Sequence, residues 1–448
     1  MKYDERLSQV SVLGAAGKMG SGILLLTAVE MTDLSLKKEN ENIIFVLNAI
    51  DVSDKALNGL LNYVRLQVRK IAEKKIILLR KLYAESNLAY NSEIIDDYIA
   101  KVLSIIRPST LIESSYNSNI IFEAVNENPE LKIKLFKTID ENSDGTPWFF
   151  TNTSSVPINY LDNKAELDGR IIGFHFYNPP AVQKLVELIV SNNTLKELND
   201  FALDYAKNLR KFIVKANDVA GFIGNGYFMR DALLGIGLLD EFKSEYGFPL
   251  ALYAVNKISH EFMIRPMGIF QLIDYVGIDV CKYIMDVMNP YFDDEDIHSI
   301  LLDQLLERGI KGGQNSDGSQ KPGFFKYAKG KIIEVYDYYN DEYVSVETVS
   351  EKTDKIIGNP PDGYIPWKEI IKIKNREKPL TEYFNNLKQS NSKGAEIAKK
   401  YLKGSRDIGL KLVALNVAHS EKDVNNVMLT GFFHSYGPIN NFLPWEEI

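Results

Sequence analysis

The sequence contains a single cysteine, Cys281, which excludes an intrachain disulfide. This cysteine lies in an apolar helical pattern, so we expect it to be a small buried hydrophobic residue. The first ten residues, MKYDERLSQV, lack the apolar core of a signal peptide. Both observations lead us to expect a cytoplasmic protein.

Long apolar runs and dense basic clusters are also missing. No run approaches the ~18 residues that a membrane-spanning helix needs. The net charge is −8, and lysine and arginine do not concentrate into a nucleic-acid-binding patch. The five histidines are scattered, so the sequence predicts no metal site. We expect neither a membrane nor a nucleic acid as partner, and 448 residues are enough for two to three globular domains.

Near its beginning the chain has a glycine-rich turn between an apolar run and a helical pattern. The apolar run covers Val10 to Leu13, and Gly14, Gly17 and Gly20 follow it. A strand, a glycine turn and a helix start form an anion site, because backbone N–H groups and the helix dipole point at the ligand. The spacing GxxGxxG is one residue longer than the usual dinucleotide fingerprint. A strand–helix turn without a ligand is the alternative.

A second apolar run, Ile43 to Ile50, ends on Asp51. A carboxylate at this strand end binds the adenosine ribose hydroxyls and repels a 2′-phosphate, so Asp51 favours NAD over NADP. The alternative is that Asp51 caps the helix predicted to start near Lys55. The polar segment from Met31 to Asn42 separates the two motifs, and we expect it to be a surface loop.

A histidine and a glutamate stand close together in the block GFHFYNPPAVQKLVELIV, which runs from Gly173 to Val190. Imidazole, with an ordinary pKa of about 6.5, accepts and returns a proton near neutral pH, and a carboxylate can fix its tautomer. His175 and Glu187 therefore form a candidate pair for removing a hydroxyl proton. Alternatively, the histidine is structural and the glutamate is a solvated charge at a strand end.

The order of elements predicts an α/β fold, a Rossmann-type doubly wound sheet followed by all-α domains, because strands and helices alternate only up to about Val214. The segment NVMLTGFFHSYGPINNF echoes the earlier HEFMIRPMGIFQLIDY. We predict four parts: a dinucleotide-binding domain at 1–215, a helical domain at 216–330, a linker at 331–378, and a degenerate second copy of the helical domain at 379–448.

The motifs together resemble the L-3-hydroxyacyl-CoA dehydrogenase family. The similar segments follow the family order over Val10 to Tyr327: GKMGSGI, DVSDKAL, FEAVNENPELKIKLF, NTSSVPI, GFHFYNPPAVQKLVELI, DVAGFIGNGYFM, RPMGIFQLIDYVGIDV and KPGFFKY. The resemblance implies NAD as cofactor, an acyl-CoA substrate in fatty-acid metabolism (beta-oxidation), and a homodimer. It also implies reversible oxidation of L-3-hydroxyacyl-CoA to 3-oxoacyl-CoA.

The resemblance further implies a role for individual residues. His175 would be the general base and acid, and Glu187 its orienting partner. Ser154 would contact both cofactor and substrate oxygen, and Asn225 would polarise the substrate carbonyl or alkoxide. Lys74 would contact a CoA phosphate. The cofactor-binding set would be Gly14, Gly17, Lys18, Met19, Gly20, Asp51, Glu127, Lys132, Ser154 and Asn178.

Simpler interpretations of these residues stay open. Ser154 and Ser155 could cap a helix opening at Pro157, Asn225 could cap or bridge helices, and Lys132 and Lys74 could be surface charges. Two other functions also fit the fold. A dehydrogenase of another 3-hydroxy acid would act without a CoA moiety, and a catalytically inactive binding protein would have lost cofactor binding.

Overall fold

A computed structural model describes residues 1–315 and 318–446. The chain divides into two compact units, Met1–Asp218 and Val219–Ile448. No helix within the described residues is long and apolar enough to cross a membrane.

The first unit alternates strands and helices along the chain. Its strands are β1 (Gln9–Leu13), β2 (Val46–Ile50), β3 (Ile106–Ser109), β4 (Ile120–Glu123), β5 (Trp148–Thr151), β6 (Ile171–Phe176), β7 (Leu185–Ile189) and β8 (Phe212–Ala216). Its helices are α1 (Tyr3–Arg6), α2 (Gly20–Ser35), α3 (Asp54–Lys74), α4 (Ile76–Leu82), α5 (Asn91–Ile105), α6 (Pro129–Asn142), α7 (Ile158–Ala165) and α8 (Lys196–Asn208).

Within residues 1–218, all of which are described, these strands form one sheet in the order β3-β2-β1-β4-β5-β6-β7-β8. Every neighbouring pair is parallel except β6 and β7, which are antiparallel. The chain adds β2 and β3 on one side of β1 and then crosses to the other side to add β4 and the later strands. Ligands bind doubly wound sheets at such a switch point, here between β1 and β4. The predicted Rossmann-type fold is confirmed.

The central strands are apolar because helices cover both faces of the sheet. All residues of β6 and β7 are buried, although both strands carry a polar side chain. On one face Phe122, Phe150 and Phe174 surround Tyr205 at centroid distances of 5.4, 6.3 and 5.8 Å. This aromatic packing anchors the strands whose ends carry the candidate site.

The segment from Met31 to Asn42 is not the surface loop that we expected. Helix α2 continues to Ser35, and Met31 is fully buried. Asp33 accepts hydrogen bonds from Lys75 Nζ at 2.6 Å and from the Tyr98 hydroxyl at 2.7 Å. The polar residues suggested a loop because the partners that they bind are distant in sequence.

The second unit is mainly helical. Its helices are α9 (Gly224–Tyr246), α10 (Phe248–Lys257), α11 (Ile269–Val276), α12 (Ile278–Met288), α13 (Ile300–Glu307), α14 (Val346–Ile357), α15 (Trp367–Ile370), α16 (Glu377–Gln389), α17 (Lys393–Ala414) and α18 (Glu421–Thr430). Its strands are β9 (Phe325–Ala328), β10 (Lys331–Asp337) and β11 (Glu342–Ser345).

The predicted linker at 331–378 is wrong, because much of this stretch is folded. Strand β10 pairs with β9 on one side and β11 on the other, all antiparallel, and α14 follows directly. Val335, Tyr336 and Ile357 are buried in the core of the second unit. The strands alternate apolar and charged side chains, and the many charges made the segment look like an exposed connection.

Two parts of the second unit correspond to each other in detail. A long helix followed by a shorter one occurs twice, as α9–α10 and as α17–α18. Equivalent positions, always the same number of residues apart, are Gly235 and Gly404, Asn256 and Asn425, Ile264 and Phe433, and Gly268 and Gly437. Ile264 and Phe433 both have a positive φ, of 47° and 56°. These correspondences support the proposal that the chain ends in a second copy of the helical domain.

The two turns of this repeat depend on a glycine pressed against an asparagine. A Cβ on Gly437 would lie 2.3 Å from Asn425 Cγ, and one on Gly268 would lie 2.2 Å from Asn256 Oδ1. Asn425 Oδ1 accepts from Ile439 N at 3.0 Å, and Asn256 Oδ1 accepts from Gln271 N at 3.0 Å. The amide can hold the turn only if the glycine adds no side chain.

We therefore expect Gly437→Ala to lower the free energy of unfolding of the second unit by ~1–3 kcal/mol, as overpacking does. Urea unfolding followed by tryptophan fluorescence measures it, because Trp367 Nε1 donates to Phe433 O beside this turn. Gly237→Ala is the control, since a Cβ on this exposed helical glycine meets nothing within 4 Å. The control should stabilise by up to ~1 kcal/mol. Equal stability of Gly437→Ala and wild type would contradict the packing argument.

Candidate active site

The glycine turn lies at the switch point of the sheet. Gly14 follows β1 with φ +71°, and a Cβ there would lie 2.6 Å from Ala124 O, just after β4. A Cβ on Gly20 would lie 2.0 Å from Gly14 O. Lys18 and Met19 complete the turn, and Met19 is the N-cap of α2. The backbone is thus closely folded at a helix start, where an anion binds favourably.

Asp51 stands at the end of β2 beside this turn. Its Oδ2 accepts a hydrogen bond from Ala16 N at 3.0 Å. The alternative role as a helix cap is wrong, because Ser53 is the N-cap of α3 and accepts from Ala56 N. The carboxylate therefore lies at the place where an adenosine ribose would be recognised.

Behind the turn lies a buried charged cluster. Lys132 is 1% exposed, and its Nζ lies 2.6 Å from Glu123 Oε1 and 3.1 Å from Glu127 Oε2. The alternative of a surface charge is wrong for Lys132. Burial opposes its charge, but the two carboxylates raise the pKa of Lys132 above its ordinary value. Burial also opposes the charge of Glu127, yet Lys132 and hydrogen bonds from Thr153 and Ser154 keep the pKa of Glu127 below its ordinary value.

Glu127 also organises the loop after β5. Its Oε1 accepts from Ser154 N at 2.7 Å, from Ser155 N at 3.1 Å and from Ser155 Oγ at 3.0 Å. The alternative that Ser154 and Ser155 cap α7 is wrong. Asp218 instead accepts from the first backbone N–H groups of that helix, those of Ile158 and Asn159. The position of Ser154 therefore depends on the Glu127 carboxylate.

His175 and Glu187 lie directly opposite each other on the antiparallel strands β6 and β7. His175 Nδ1 is 3.0 Å from Glu187 Oε2. Because a carboxylate oxygen accepts, Nδ1 carries the hydrogen in this contact. The glutamate is fully buried and His175 is 9% exposed, so Glu187 is not a solvated strand-end charge.

The loop between these two strands has its own support. It contains Asn178, joined to Pro179 by a cis peptide bond. Lys211, just before β8, donates to the carbonyl oxygens of Pro180 and Gln183, the latter at 2.6 Å. Burial lowers the pKa of Lys211 to about 8. A Cβ on Gly22 of α2 would lie 2.8 Å from Pro180 Cδ, so the loop also packs against the glycine-turn helix.

Most of the predicted site residues lie in the first unit, at or near strand ends. Asn225 is the second residue of α9 in the second unit. Lys74 is the last residue of α3 and is exposed, as expected of a solvated charge. Within the described ranges 1–315 and 318–446, no group of three or more histidine, cysteine, aspartate or glutamate side chains could hold a metal ion.

Four residues of this region were missed in the sequence: Glu123, Tyr177, Lys211 and Asp218. Glu123 had a usable signal, an acid that ends the apolar strand IIFE. Tyr177 also had one: side chains two residues apart on an extended chain share a face, and Tyr177 follows His175 at that spacing, just after β6 ends. Lys211 and Asp218 had none, since their partners are far away in the sequence.

The residues present fit a dinucleotide. The glycine turn is folded so closely that a Cβ on Gly14 or Gly20 would collide with backbone atoms, it leads into the N-terminus of α2, and Asp51 lies beside it. These are the features that accept a pyrophosphate and an adenosine ribose.

Comparison with known proteins places the chain among enzymes of one kind. Residues 9–219 match the family model described as "3-hydroxyacyl-CoA dehydrogenase, NAD binding domain", and residues 251–321 match that family's C-terminal domain. The mitochondrial hydroxyacyl-coenzyme A dehydrogenase of Homo sapiens is 30% identical, over 72% of this chain and 91% of that protein. A probable 3-hydroxybutyryl-CoA dehydrogenase of Bacillus subtilis is 28% identical, over 72% and 98%.

Solved structures share the fold. The 3-hydroxybutyryl-CoA dehydrogenase of Escherichia coli K12 superposes with a TM-score of 0.62 at 19% identity, covering 97% of this chain and 90% of that one. FadB2 of M. tuberculosis superposes with a TM-score of 0.54 at 23% identity, covering 72% of this chain and 99% of that one. The superposition on the Escherichia coli enzyme also includes residues after position 321, where the match to the family model ends.

Lys132→Met should lower the free energy of unfolding of the first unit by ~3–5 kcal/mol, because it leaves the buried Glu123 and the partly buried Glu127 without their cation. Chemical denaturation at pH 7 measures the loss. Lys134→Met, on the exposed side of the same helix, is the matched control and should change little. Since the pKa of Glu127 is lowered on folding, the stability it contributes is fully present above the ordinary glutamate pKa and is lost as the pH falls through the lowered pKa of the folded state. Comparable stability of both variants at pH 7 would contradict the role of the cluster.

Proposed function

The chain belongs to the 3-hydroxyacyl-CoA dehydrogenase family of NAD-dependent oxidoreductases, and on that premise we propose that His175 carries the proton in its reaction. The observation that supports this role is the contact of 3.0 Å between His175 Nδ1 and the buried Glu187 carboxylate. With Nδ1 directed to the carboxylate, Nε2 would exchange the proton with the substrate hydroxyl.

The proposed reaction oxidises an L-3-hydroxyacyl-CoA to the 3-oxoacyl-CoA, and it is reversible. NAD, when bound, accepts the hydride from the hydroxyl-bearing carbon. His175 takes the hydroxyl proton in the oxidation and returns it in the reduction. Glu187 keeps the imidazole in one tautomer and stabilises the imidazolium, so its role is orientation and charge balance.

Ser154 and Asn225 are proposed to act on the substrate oxygen. Neutral donors suit an oxygen whose negative charge is transient, because they stabilise it without holding it too tightly in the ground state. Ser154 is supported by its loop, whose backbone Glu127 fixes through Ser154 N. Asn225 is supported by the resemblance alone.

The cofactor residues are proposed as a set, and the observations that support them differ from residue to residue. The glycine turn and Asp51 are supported by their arrangement at the switch point, and Glu127 and Lys132 by their buried network behind it. Asn178 is supported by its place in the loop that Lys211 holds. Lys74, as a contact for a CoA phosphate, is supported by its charge and exposure.

The metabolic pathway, the cellular location and the oligomeric state are also proposals. We infer a place in fatty-acid oxidation from relatives such as the alpha subunit of the fatty acid oxidation complex of Pseudomonas syringae, 28% identical over 75% of this chain. A cytoplasmic location is supported by the single, buried cysteine. The homodimer is supported by the family resemblance, and light scattering of the purified chain tests it.

The activity is tested by following NADH absorbance with acetoacetyl-CoA. We expect turnover by the wild type and a fall of ~100-fold or more in His175→Gln, the usual scale of general-base catalysis. His298→Gln is the matched control, because His298 Nε2 also contacts a carboxylate, Asp303 Oδ2 at 2.6 Å, but lies in the second unit. NADPH in place of NADH should give slower turnover, because Asp51 would repel the 2′-phosphate.

Turnover that survives in His175→Gln would overturn the role of the histidine. Activity on a 3-hydroxy acid without a CoA moiety, and none on acetoacetyl-CoA, would favour the other substrate class. Failure to bind NADH at all would favour an inactive protein on this fold.

A further inference from the structure

Glu187 has a second partner besides the histidine. The Tyr177 hydroxyl donates to Glu187 Oε2 at 2.8 Å, and His175 Nδ1 contacts the same oxygen at 3.0 Å. The rings of His175 and Tyr177 lie 4.9 Å apart between centroids, tilted by 39°. Two hydrogen-bond donors therefore share one carboxylate oxygen.

The strand geometry explains why the three side chains meet. Side chains alternate along an extended chain, so His175 and Tyr177 lie on one face while Phe174 and Phe176 enter the hydrophobic core on the other. Glu187 reaches the same face from the neighbouring strand, because it pairs directly with His175. The arrangement is thus fixed by the register of β6 and β7.

A shared acceptor has a chemical consequence. A hydrogen bond to the carboxylate from Tyr177 stabilises its negative charge and weakens its attraction for the imidazolium. Burial, together with the charge of Glu187, raises the pKa of Tyr177 well above its ordinary value, so the hydroxyl keeps its hydrogen throughout the working pH range.

We propose that Tyr177 is a positioning residue that sets the basicity of His175 by sharing the acceptor oxygen of Glu187. The inference rests on the proposed function of His175. Removing the hydroxyl leaves the imidazolium better stabilised, so the protonated form persists to higher pH. Oxidation needs the neutral imidazole and reduction needs the imidazolium, so both pH profiles should move in the same direction.

The other charged groups around the site are the same in the wild type and in Tyr177→Phe. On the β8 side, Lys211 lies under the loop and over the Phe176 ring, at 5.6 Å from its centroid. On the β5 side, Glu127 and Lys132 form the cluster behind Ser154. Because the pKa of Lys211 is about 8, it can affect an alkaline limb. Its effect is present in wild type and variant alike, and the difference between them isolates Tyr177.

The test combines two measurements on Tyr177→Phe. The first is a histidine NMR titration of the substrate-free protein, in which His175→Gln identifies the His175 signal. The second is the pH profile of kcat/KM for oxidation. We expect the NMR midpoint and the acid limb to rise together by about 0.5–1 pH unit, the scale of one lost hydrogen bond to a carboxylate. The maximal kcat should change by only a few-fold.

A matched control separates this role from mere structural support. Tyr205→Phe likewise removes one tyrosine hydroxyl, in this case from a fully buried residue, where it bonds Thr27 Oγ1 at 2.7 Å; it should shift neither measurement. Site-specific 3,5-difluorotyrosine at position 177 keeps the ring and makes the hydroxyl a stronger donor. It should move the midpoint to lower pH, and it serves even if Tyr177→Phe folds poorly.

An unchanged midpoint in Tyr177→Phe, or an equal shift in Tyr205→Phe, would overturn the inference. If the midpoint moves as expected but the wild type does not reduce acetoacetyl-CoA, the effect of Tyr177 on the protonation of His175 stands and the proposed function is what fails.

Discussion

The candidate site depends on one antiparallel pairing within a sheet that is otherwise parallel. If β7 ran parallel to β6, a short connection could not return it to the sheet, and a histidine and a glutamate twelve residues apart would not face each other. The observed register places His175 opposite Glu187, and Tyr177 falls beside them. Lys211 then holds the connecting loop by two of its carbonyl oxygens.

A second constraint is the balance of charge behind the glycine turn. A buried lysine between a buried and a partly buried glutamate is costly to assemble, and it is retained only if each charge has partners. Lys132 meets this condition by pairing with Glu123 and Glu127. Glu127 in turn fixes the backbone at Ser154 by accepting a hydrogen bond from its N–H group. The result is a network of polar contacts that fixes the backbone at Ser154.

The sequence predicted those features that local pattern or motif determines. The Rossmann-type fold followed from alternating elements, and the His175–Glu187 contact was suggested by their closeness in the chain. The shared use of Glu187 by Tyr177 was missed, because it needs the strand register. The burial of Lys132 and the folding of β10 were missed because charged residues look exposed until their distant partners are known.

In the proposed mechanism Glu187 acts on the reaction through His175 and has no part in holding the cofactor. The most direct test measures the NADH dissociation constant by fluorescence, and kcat with acetoacetyl-CoA, in Glu187→Gln. Glu197→Gln, an exposed glutamate on α8, is the control. We predict NADH affinity within about threefold of wild type, and a kcat lower by ~100-fold, the scale of lost general-base catalysis. A kcat close to wild type, or a loss of NADH binding that accounts for the whole defect, would contradict the claim.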